Sequence, residues 1–394
     1  MLFKEIKNNI FYAGLNDSDR VVFDELIPLE HGTTYNSYIV KGSDKTAVID
    51  TMYPPFCDVY LKNFDENNIG AIDYIIANHG EQDHSGSIPS LLEKFPDAVV
   101  LTNDKCKQNI MEMLLVPEDK IRVVQNNEEI SLGDKTLKFI MAPGVHWPDT
   151  MFTYIKEDNM LFTCDFLGAH LPFENLYAEN NELLYSMAKR YYAEIMMPFR
   201  LMCKKYVSTV EELNPDYILP SHGPIYDKPE FIINAYKDWA SDTPKNLVLI
   251  PYVSMYGSTE EMVEYVSSKL RANNINVVAH DLVRDDLGEL AVHLVDAATI
   301  IIGASMVLAG PHPIAANACL LANALKPKAR FVSFLGSYGW GGKLFETLSS
   351  FFTSIKPEVI EPVLVKGKPK KEDFKKLDIL VQTIVSKHRE LNLK

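Results

Sequence analysis

Short apolar runs alternate with amphipathic stretches along the second part of the chain. The apolar runs have the length of buried strands, and each is followed by a stretch in which apolar residues recur at helical spacing. The predicted strands are 247–252, 275–280, 299–304, 329–335 and 358–364. The predicted helices are 258–273, 286–297, 313–325, 343–354 and a last helix from residue 371. Regular alternation of this kind predicts a doubly wound parallel sheet.

The first part of the chain has a different pattern, in which strands dominate. Helical spacing is confined to stretches near 87–94, 104–115, 183–206 and 229–240. We therefore predict a sandwich of sheets with flanking helices. The polar, proline-bearing stretch 241–246 precedes a new apolar strand and reads as a linker. The expected domains are residues 1–243 and 247–394.

Composition is that of a globular protein with two cores. The chain has 394 residues, of which 47% are hydrophobic and 23% are charged. No apolar run approaches the ~18 residues of a membrane helix, and the first residues lack the pattern of a secretion signal, so we expect a cytoplasmic protein. The five cysteines are scattered and form no C-x-x-C pair, so we expect buried thiols rather than disulfides or cysteine-held metal.

The formal net charge of −14 argues against nucleic acid as a partner, because phosphate neutralisation needs a basic surface. The exception is the lysine run Lys366–Lys371, which has two readings. It is either a solvated turn or a docking surface for an anionic electron donor.

The run from His79 to His84 is the stretch of the chain that says most about its chemistry. It places four possible metal ligands within six residues, directly after an apolar strand at 74–77. A tight loop at a strand end can aim His79 and Glu81 at one ion, and Asp83 and His84 at a second. This run predicts half of a site for two metal ions.

Three further candidate ligands also follow apolar strands: His146, Asp165 and His222. A single histidine after a strand is more often a hydrogen-bonded structural residue, and a charged loop is usually only solvated. Four histidines and three carboxylates, each at a strand-to-loop junction, favour a metal centre instead.

These motifs together resemble those of the flavodiiron proteins, also called A-type flavoproteins. The resemblance rests on H-x-E-x-D-H at 79–84, H-W-P-D-T at 146–150, the strand end at Asp165 and S-H-G-P at 221–224. It implies an N-terminal metallo-β-lactamase-like αββα sandwich followed by a C-terminal flavodoxin-like domain. It also implies that His79, Glu81 and His146 hold one iron, that Asp83, His84 and His222 hold the other, and that Asp165 bridges them. No catalytic residue separate from the metal centre is expected.

Glu81 distinguishes the chain from hydrolases of this fold, which resemble it but typically carry a second histidine there. Imidazole-rich tetrahedral sites suit zinc, whereas carboxylate beside imidazole suits iron with open positions for a gas. The negative charge of the three candidate carboxylates does not by itself exclude zinc or manganese as the metal.

The resemblance also implies an FMN site in the second domain. A loop that joins the first strand to a helix offers hydroxyls and backbone N–H groups for a phosphate, although such a loop is often only a cap. The loops after the third and fourth strands would enclose the flavin ring. The candidate residues are Ser254, Met255, Tyr256, Gly257, Ser258, Thr259, Ala304, Ser305, Met306, Val307, Leu308, Ser337, Tyr338, Gly339, Trp340 and Gly341. The first loop lacks G-x-G-x-x-G, which argues against direct nicotinamide binding.

By resemblance, the chain is an oxidoreductase that passes electrons through FMN to a diiron centre. That centre reduces dioxygen to water or, alternatively, nitric oxide to nitrous oxide. The donor would be rubredoxin or a reduced deazaflavin, and the assembly a head-to-tail homodimer or a tetramer. Two other classes stay open: a binuclear zinc hydrolase with an appended flavodoxin domain, and a non-catalytic carrier or gas sensor.

Two segments of the chain depart from the family pattern. Ser305, Met306 and Leu308 stand where relatives usually carry proline, threonine and asparagine, and Phe23 stands where relatives often place a histidine or tyrosine over the metals. These departures leave the flavin's hydrogen bonds and the preferred gas open. The candidate neighbours of the ligands are His170, Tyr35 and Tyr192, each of which could equally be an ordinary packed residue.

Overall fold

The computed structural model describes residues 3–393, and its chain divides into two compact units. The first unit ends at Ala240 and the second begins at Ser241. The division lies at the start of the polar stretch 241–246. Among the described residues, no helix is long and apolar enough to cross a membrane.

Two sheets form the first unit. The strands of the seven-stranded sheet are, in spatial order, Lys4–Lys7, Ile10–Tyr12, Tyr38–Lys41, Thr46–Ile49, Tyr74–Ile76, Val99–Thr102 and Ile121–Val123. Those of the five-stranded sheet are Glu129–Ser131, Thr136–Met141, Met151–Ile155, Met160–Cys164 and Tyr217–Pro220. Two small ladders pair Leu15–Asp17 with Thr33–Tyr35 and Val22–Phe23 with Ile27–Pro28.

The core of this unit lies between the two sheets. In the strand Thr136–Met141, Leu137 and Phe139 are fully buried while Thr136 and Lys138 are half-buried, which is the alternation of a strand with one face in a core. Tyr38 of one sheet meets Phe162 of the other, with ring centroids 5.1 Å apart. Among the described residues, none of those that form this core lies on a helix. The helices therefore cover the outer faces of the two sheets. The predicted sandwich is confirmed.

The helices of the first unit are Cys57–Glu66, Gln82–Ser85, Ile88–Lys94, Asp104–Met113, Glu182–Tyr191, Arg200–Leu213 and Glu230–Trp239. Single turns of 3-10 helix occur at Pro54–Phe56, Glu118–Lys120 and Met197–Phe199. The single helix predicted at 183–206 is wrong, because a π-helical segment at Tyr192–Met196 and the turn at Met197–Phe199 interrupt it. Pro198 has no N–H for an intrahelical hydrogen bond, so the chain restarts its helix at Arg200.

The second unit contains a parallel sheet. Its main strands are, in spatial order, Asn276–Asp281, Lys245–Tyr252, Ala297–Val307 and Phe331–Tyr338, and the short strands Glu358–Val359 and Val363–Lys366 both pair with the last of these. The helices are Ser258–Arg271, Leu287–Asp296, Pro313–Leu325, Leu344–Ser349 and Lys371–Glu390. The first strand of the unit lies between the second and the third, so the winding direction reverses there, as in a flavodoxin-like sheet.

Four predicted elements of this unit have clearly different bounds. The third strand continues to Val307 because it pairs with Gly310–Pro311 in a hairpin, so residues 303–307 do not form a loop. The fourth strand likewise reaches Tyr338. The last strand is split before Val363, next to Pro362, which cannot donate to a ladder. The helix predicted at 343–354 ends at Ser349.

Candidate metal centre and flavin site

The first half of the metal site is fixed by Asn78, which follows the strand Tyr74–Ile76. The backbone oxygen of Asn78 accepts a hydrogen bond from Met151 N at 2.8 Å, and its side-chain oxygen accepts one from Thr153 Oγ1 at 2.7 Å. Met151 and Thr153 belong to the five-stranded sheet. These hydrogen bonds therefore hold Asn78, the residue before His79, against both sheets. Asp83 and His84 then lie on one helical turn, Gln82–Ser85, rather than on the loop that the sequence predicted.

The seven candidate ligands converge in two groups. In the first, Nε2 of His79 lies 3.1 Å and Nε2 of His146 lies 3.4 Å from Oε2 of Glu81. In the second, Nε2 of His84 lies 3.3 Å from Oδ1 of Asp83, and Nε2 of His222 lies 3.2 Å from Oδ2. Each group has two imidazoles and one carboxylate of its own.

Asp165 lies between the two groups and presents one oxygen to each. Its Oδ2 is 3.6 Å from Nε2 of His79 and 3.5 Å from Nε2 of His146. Its Oδ1 is 2.9 Å from Nε2 of His84 and 3.5 Å from Nε2 of His222. The grouping is the one that the resemblance implied, and the ligand roles themselves remain a prediction.

Several of these ligand atoms are buried without a hydrogen bond. Both carboxylate oxygens of Asp83, Oδ2 of Asp165 and Nε2 of His222 have no hydrogen-bond partner in the described chain. Leaving a buried polar atom unpaired costs about 1–3 kcal/mol, and more for a charged one. Convergent imidazole nitrogens and carboxylate oxygens are a donor set for divalent metal ions, so these residues fit a two-metal centre.

The electrostatics of the site are dominated by imidazole facing carboxylate. Burial disfavours the charged form of His79, but its hydrogen bonds with Asp149 and Glu81 outweigh burial and raise its pKa to about 10. The pKa values of His84 and His146 are also raised to about 10, against the effect of burial, chiefly because both face Asp165. For Glu81, burial is outweighed by His146 and His79, and the pKa falls to about 2. Protons and metal ions therefore compete for these nitrogens.

Residues behind the ligands fix their orientation. Oδ1 of Asp149 lies 2.9 Å from Nδ1 of His79, and the backbone oxygen of Thr34 lies 2.5 Å from Nδ1 of His222. The sequence prediction missed Asp149, although it lies in the quoted H-W-P-D-T motif three residues after His146. The position of this carboxylate, close in sequence to a candidate ligand histidine, could have indicated a supporting role.

Two of the three predicted neighbours lie beside the ligands. Nδ1 of His170 is 2.8 Å from Oγ1 of Thr33, and its ring centroid is 5.0 Å from that of His222. The ring centroid of Tyr35 is 5.9 Å from that of His222.

The third candidate neighbour, Tyr192, packs as an ordinary buried residue. Its ring packs on Tyr236, with centroids 5.1 Å apart. Tyr191 takes the expected place, because its hydroxyl donates a hydrogen bond to Oδ1 of Asp165 at 3.0 Å.

Phe23 covers the second ligand group. It lies on the hairpin Val22–Pro28, and its ring centroid is 4.4 Å from that of His170 and 5.5 Å from that of His222. A phenyl ring therefore stands where relatives often place a polar group. Phe23 is buried, so it also shields this side of the site from solvent.

The candidate phosphate loop of the second unit ends at a helix N-terminus. Gly257 has a φ of +83°, a conformation that favours glycine, and the helix begins at Ser258. Oγ of Ser254 accepts a hydrogen bond from Glu260 N at 3.2 Å, and Oγ1 of Thr259 lies 3.2 Å from Oγ of Ser337 in the fourth strand. The geometry joins hydroxyls from the first and fourth strand ends at the switch point of the sheet.

A cavity of about 210 Å³ lies between the third and fourth strand ends. Its lining comprises Met306, Val307, Leu308, Ala309, Gly339 and Trp340. Trp340 is 71% exposed and Tyr256 is 91% exposed, so both aromatic rings are available to a planar ligand. The hydroxyl loop fits the phosphate of a flavin mononucleotide, and this cavity, which combines apolar side chains with exposed polar atoms, fits its ring.

A metal-binding sandwich and a flavodoxin-like sheet define the chain as a two-domain flavoprotein with a binuclear metal centre. Residues 33–223 match the family described as ODP family beta lactamase. A flavo-diiron protein of Clostridium acetobutylicum is 31% identical over 91% of this chain and 92% of its own length. A nitric oxide reductase of Moorella thermoacetica is 31% identical over 94% of this chain and 95% of its own. The solved structure of rubredoxin oxygen:oxidoreductase from Desulfovibrio gigas has a TM-score of 0.94 and 25% identity, and the match covers 100% of both chains.

The chain belongs to the flavodiiron protein family. Its members are oxidoreductases that carry FMN and a diiron centre, so the predicted family, fold, enzyme class and cofactors are confirmed.

Proposed function

We propose that this protein reduces dioxygen to water at a diiron centre that receives electrons from FMN. The observation that carries the proposal is the composition of the two ligand groups. Each has two imidazoles and one carboxylate of its own and shares Asp165. Glu81 occupies the position at which a zinc hydrolase of this fold carries another imidazole, and mixed carboxylate and imidazole ligands favour iron.

The ligand roles follow the two groups. His79, Glu81 and His146 would hold one iron, Asp83, His84 and His222 would hold the other, and Asp165 would be shared by both. When bound, the irons supply open coordination positions and electrons for a diatomic gas. Tyr191 orients the bridging carboxylate through its hydroxyl, and Phe23 excludes water from the side of His222.

The second domain supplies the electrons. We assign residues 1–243 to the diiron domain and residues 247–394 to the FMN domain. The hydroxyls and backbone N–H groups of 254–259 hold the phosphate, and residues 304–308 and 337–341 enclose the ring. Leu308 lies in the turn of the hairpin that follows the third strand and has no side-chain amide, so backbone groups would contact the polar edge of the ring there.

The external donor docks beside the flavin loops. Lys366 pairs with Tyr338 across the sheet, and Gly367 N donates to Tyr338 O at 2.9 Å, so the lysine run starts at the carboxyl end of the fourth strand. Lys366, Lys368, Lys370 and Lys371 are all exposed. In a chain with a net charge of −14, this concentration of positive charge favours an anionic donor. Rubredoxin and a reduced deazaflavin are the two candidate donors.

A head-to-tail homodimer, or a tetramer built from it, would place the flavin of one copy against the irons of the other. The resemblance to the family supports this assembly, and analytical ultracentrifugation of the FMN-loaded protein tests it. The cytoplasmic location expected from the sequence likewise stays a prediction.

The decisive experiment is anaerobic stopped-flow mixing of the fully reduced, FMN- and iron-loaded protein with oxygen and, separately, with nitric oxide. Faster multi-electron reoxidation by oxygen without release of peroxide supports the proposal. Faster reoxidation by nitric oxide with formation of nitrous oxide supports the alternative, which the similarity to the nitric oxide reductase of Moorella thermoacetica favours. Stoichiometric zinc without iron after anaerobic purification would overturn both and favour the hydrolase reading.

A further inference from the structure

The metal-facing histidines differ in what their second nitrogen contacts. Nδ1 of His79 lies 2.9 Å from a carboxylate oxygen of Asp149. Nδ1 of His222 lies 2.5 Å from the backbone oxygen of Thr34. Nδ1 of His84 is buried and has no hydrogen-bond partner in the described chain. A carboxylate with a full negative charge therefore contacts Nδ1 of His79, whereas a neutral carbonyl contacts Nδ1 of His222.

The hydrogen bond between His79 and Asp149 distinguishes two ligand groups that have the same donors, namely two imidazoles and one carboxylate each, and that share Asp165. Another buried carboxylate, Asp50, interacts electrostatically with His84 of the second group. Its oxygens accept hydrogen bonds from Asn78 and Ser221 rather than from an imidazole, so only Asp149 combines a full charge with a direct hydrogen bond to the second nitrogen of a ligand histidine among the described contacts.

Asp149 is held firmly in this position. Its Oδ2 accepts hydrogen bonds from Nδ2 of Asn109 at 2.8 Å and from Gly80 N at 3.1 Å, and the residue is 1% exposed. A Cβ atom on Gly80 would lie 2.8 Å from Oδ2 of Asp149 and 3.0 Å from Cβ of Asn109. The absence of a side chain at Gly80 therefore lets the carboxylate approach the backbone beside His79.

We propose that Asp149 is a positioning residue that makes the two metal positions unequal. By accepting a hydrogen bond from Nδ1–H it fixes the tautomer of His79 in which Nε2 is free to bind metal, and it increases the basicity of Nε2. The position formed by His79, Glu81 and His146 then binds Fe²⁺ more tightly, and its metal is oxidised more readily, than the position formed by Asp83, His84 and His222. The inference rests on the proposed metal centre.

The test compares wild type with Asp149→Asn, which keeps the shape of the side chain and removes its charge. Metal-free protein is titrated anaerobically with Fe²⁺ by calorimetry. We expect two classes of site in wild type, and we expect the tighter class to weaken about 10–100-fold in the variant while the weaker class is unchanged. In a redox titration followed by electron paramagnetic resonance, the half-reduced state should reach a lower maximum in the variant, because the two potentials lie closer together.

Two further variants separate positioning from structural support. Asn109→Ala removes one donor to Asp149 but keeps its charge, so it should weaken the tighter class by less than Asp149→Asn does. Asp158→Asn alters a buried carboxylate that lies against Lys135 instead of an imidazole, so it should lower stability and leave both classes of site intact.

Two results would overturn the inference: a parallel loss of affinity at both positions in Asp149→Asn, or no change at either. A protein that takes up Zn²⁺ but not Fe²⁺ would instead count against the proposed function, and the same titration with Zn²⁺ would still measure the inequality.

Discussion

Nε2 of His84 lies 2.9 Å from Oδ1 of Asp165, while the other oxygen of that carboxylate faces His79 and His146. One side chain therefore serves both ligand groups. We expect Asp165→Asn to retain FMN but to hold less than about half of the wild-type iron, because it loses the charge shared by both positions. Elemental analysis and the flavin absorbance measure the two contents. Asp44→Asn, an exposed carboxylate of the same unit, is the control, and full iron in Asp165→Asn would contradict the bridging role.

The raised pKa values in the metal site predict how the metal-free protein responds to pH. His79, His84 and His146 have pKa values of about 10 in the fold, against 6.5 as the ordinary value. The folded state therefore binds more protons than the unfolded state between these values. This contribution to stability is complete below about pH 6.5 and is lost as the pH rises through about 10.

Calorimetric unfolding at several pH values tests this prediction. The unfolding temperature of metal-free protein should fall across the range from 6.5 to 10, whereas metal-loaded protein should show a much flatter profile, because its ligand nitrogens carry no proton. Equal slopes for the two forms would contradict the assignment of these imidazoles to the metal site.

His388 in the second unit predicts the opposite dependence. Nδ1 of His388 lies 2.8 Å from Oδ1 of Asn246, and its Nε2 lies 2.8 Å from Oγ1 of Thr299. Burial lowers its pKa to about 4. Stability from this residue is complete above about pH 6.5 and is lost as the pH falls through about 4. His388→Gln should reduce this slope in acid unfolding curves, whereas His31→Gln, at an exposed site, should keep it.

The hydroxyls of the phosphate loop predict the retention of flavin. Ser258→Ala combined with Thr259→Ala removes two donors from the helix N-terminus, and a hydrogen bond to a charged group contributes about 1.5–3 kcal/mol. We therefore expect FMN to bind at least about tenfold more weakly, measured by fluorescence titration of the flavin-free protein. Ser268→Ala, on the exposed side of the same helix, should bind FMN normally. Unchanged affinity in the double variant would remove the phosphate role from these hydroxyls.

A buried ion pair in the first unit predicts a large effect on stability. Lys135 and Asp158 are 4% and 3% exposed, Nζ of Lys135 lies 2.5 Å from Oδ2 of Asp158, and Asn8 donates to Oδ1 at 2.7 Å. Lys135→Met leaves the carboxylate buried without its cation and should cost about 3–5 kcal/mol in denaturant unfolding. Replacing both residues with apolar ones should cost much less, and an equal cost would indicate that packing rather than charge is responsible.

Much of the metal centre could be predicted because its ligands follow strands, and strand ends are visible as breaks in apolar runs. His79 to His84 are also close in sequence, so their convergence needed no knowledge of the tertiary fold. The contact between His79 and Asp149 joins residues 70 positions apart, and only the approach of the two sheets brings them together.

Other differences arise where the chain departs from regular geometry. Successive side chains of a helix point about 100° apart, so neighbouring residues face different parts of the structure. Tyr191 rather than Tyr192 therefore faces Asp165, and the π-helical segment begins at this point. The third strand was predicted too short because its last residues pair with Gly310–Pro311, and a glycine-proline pair ordinarily signals a loop.

The predicted ligands extend from residue 79 to residue 222, and Asn78 connects the two sheets immediately before the first of them. No local segment contains a complete ligand group, since each group requires both the run at 79–84 and a histidine more than sixty residues away. A complete set of donors therefore exists only where the two sheets have met. The chain up to His146, as it emerges during synthesis, still lacks Asp165 and His222 and so lacks the residues predicted to hold both ions.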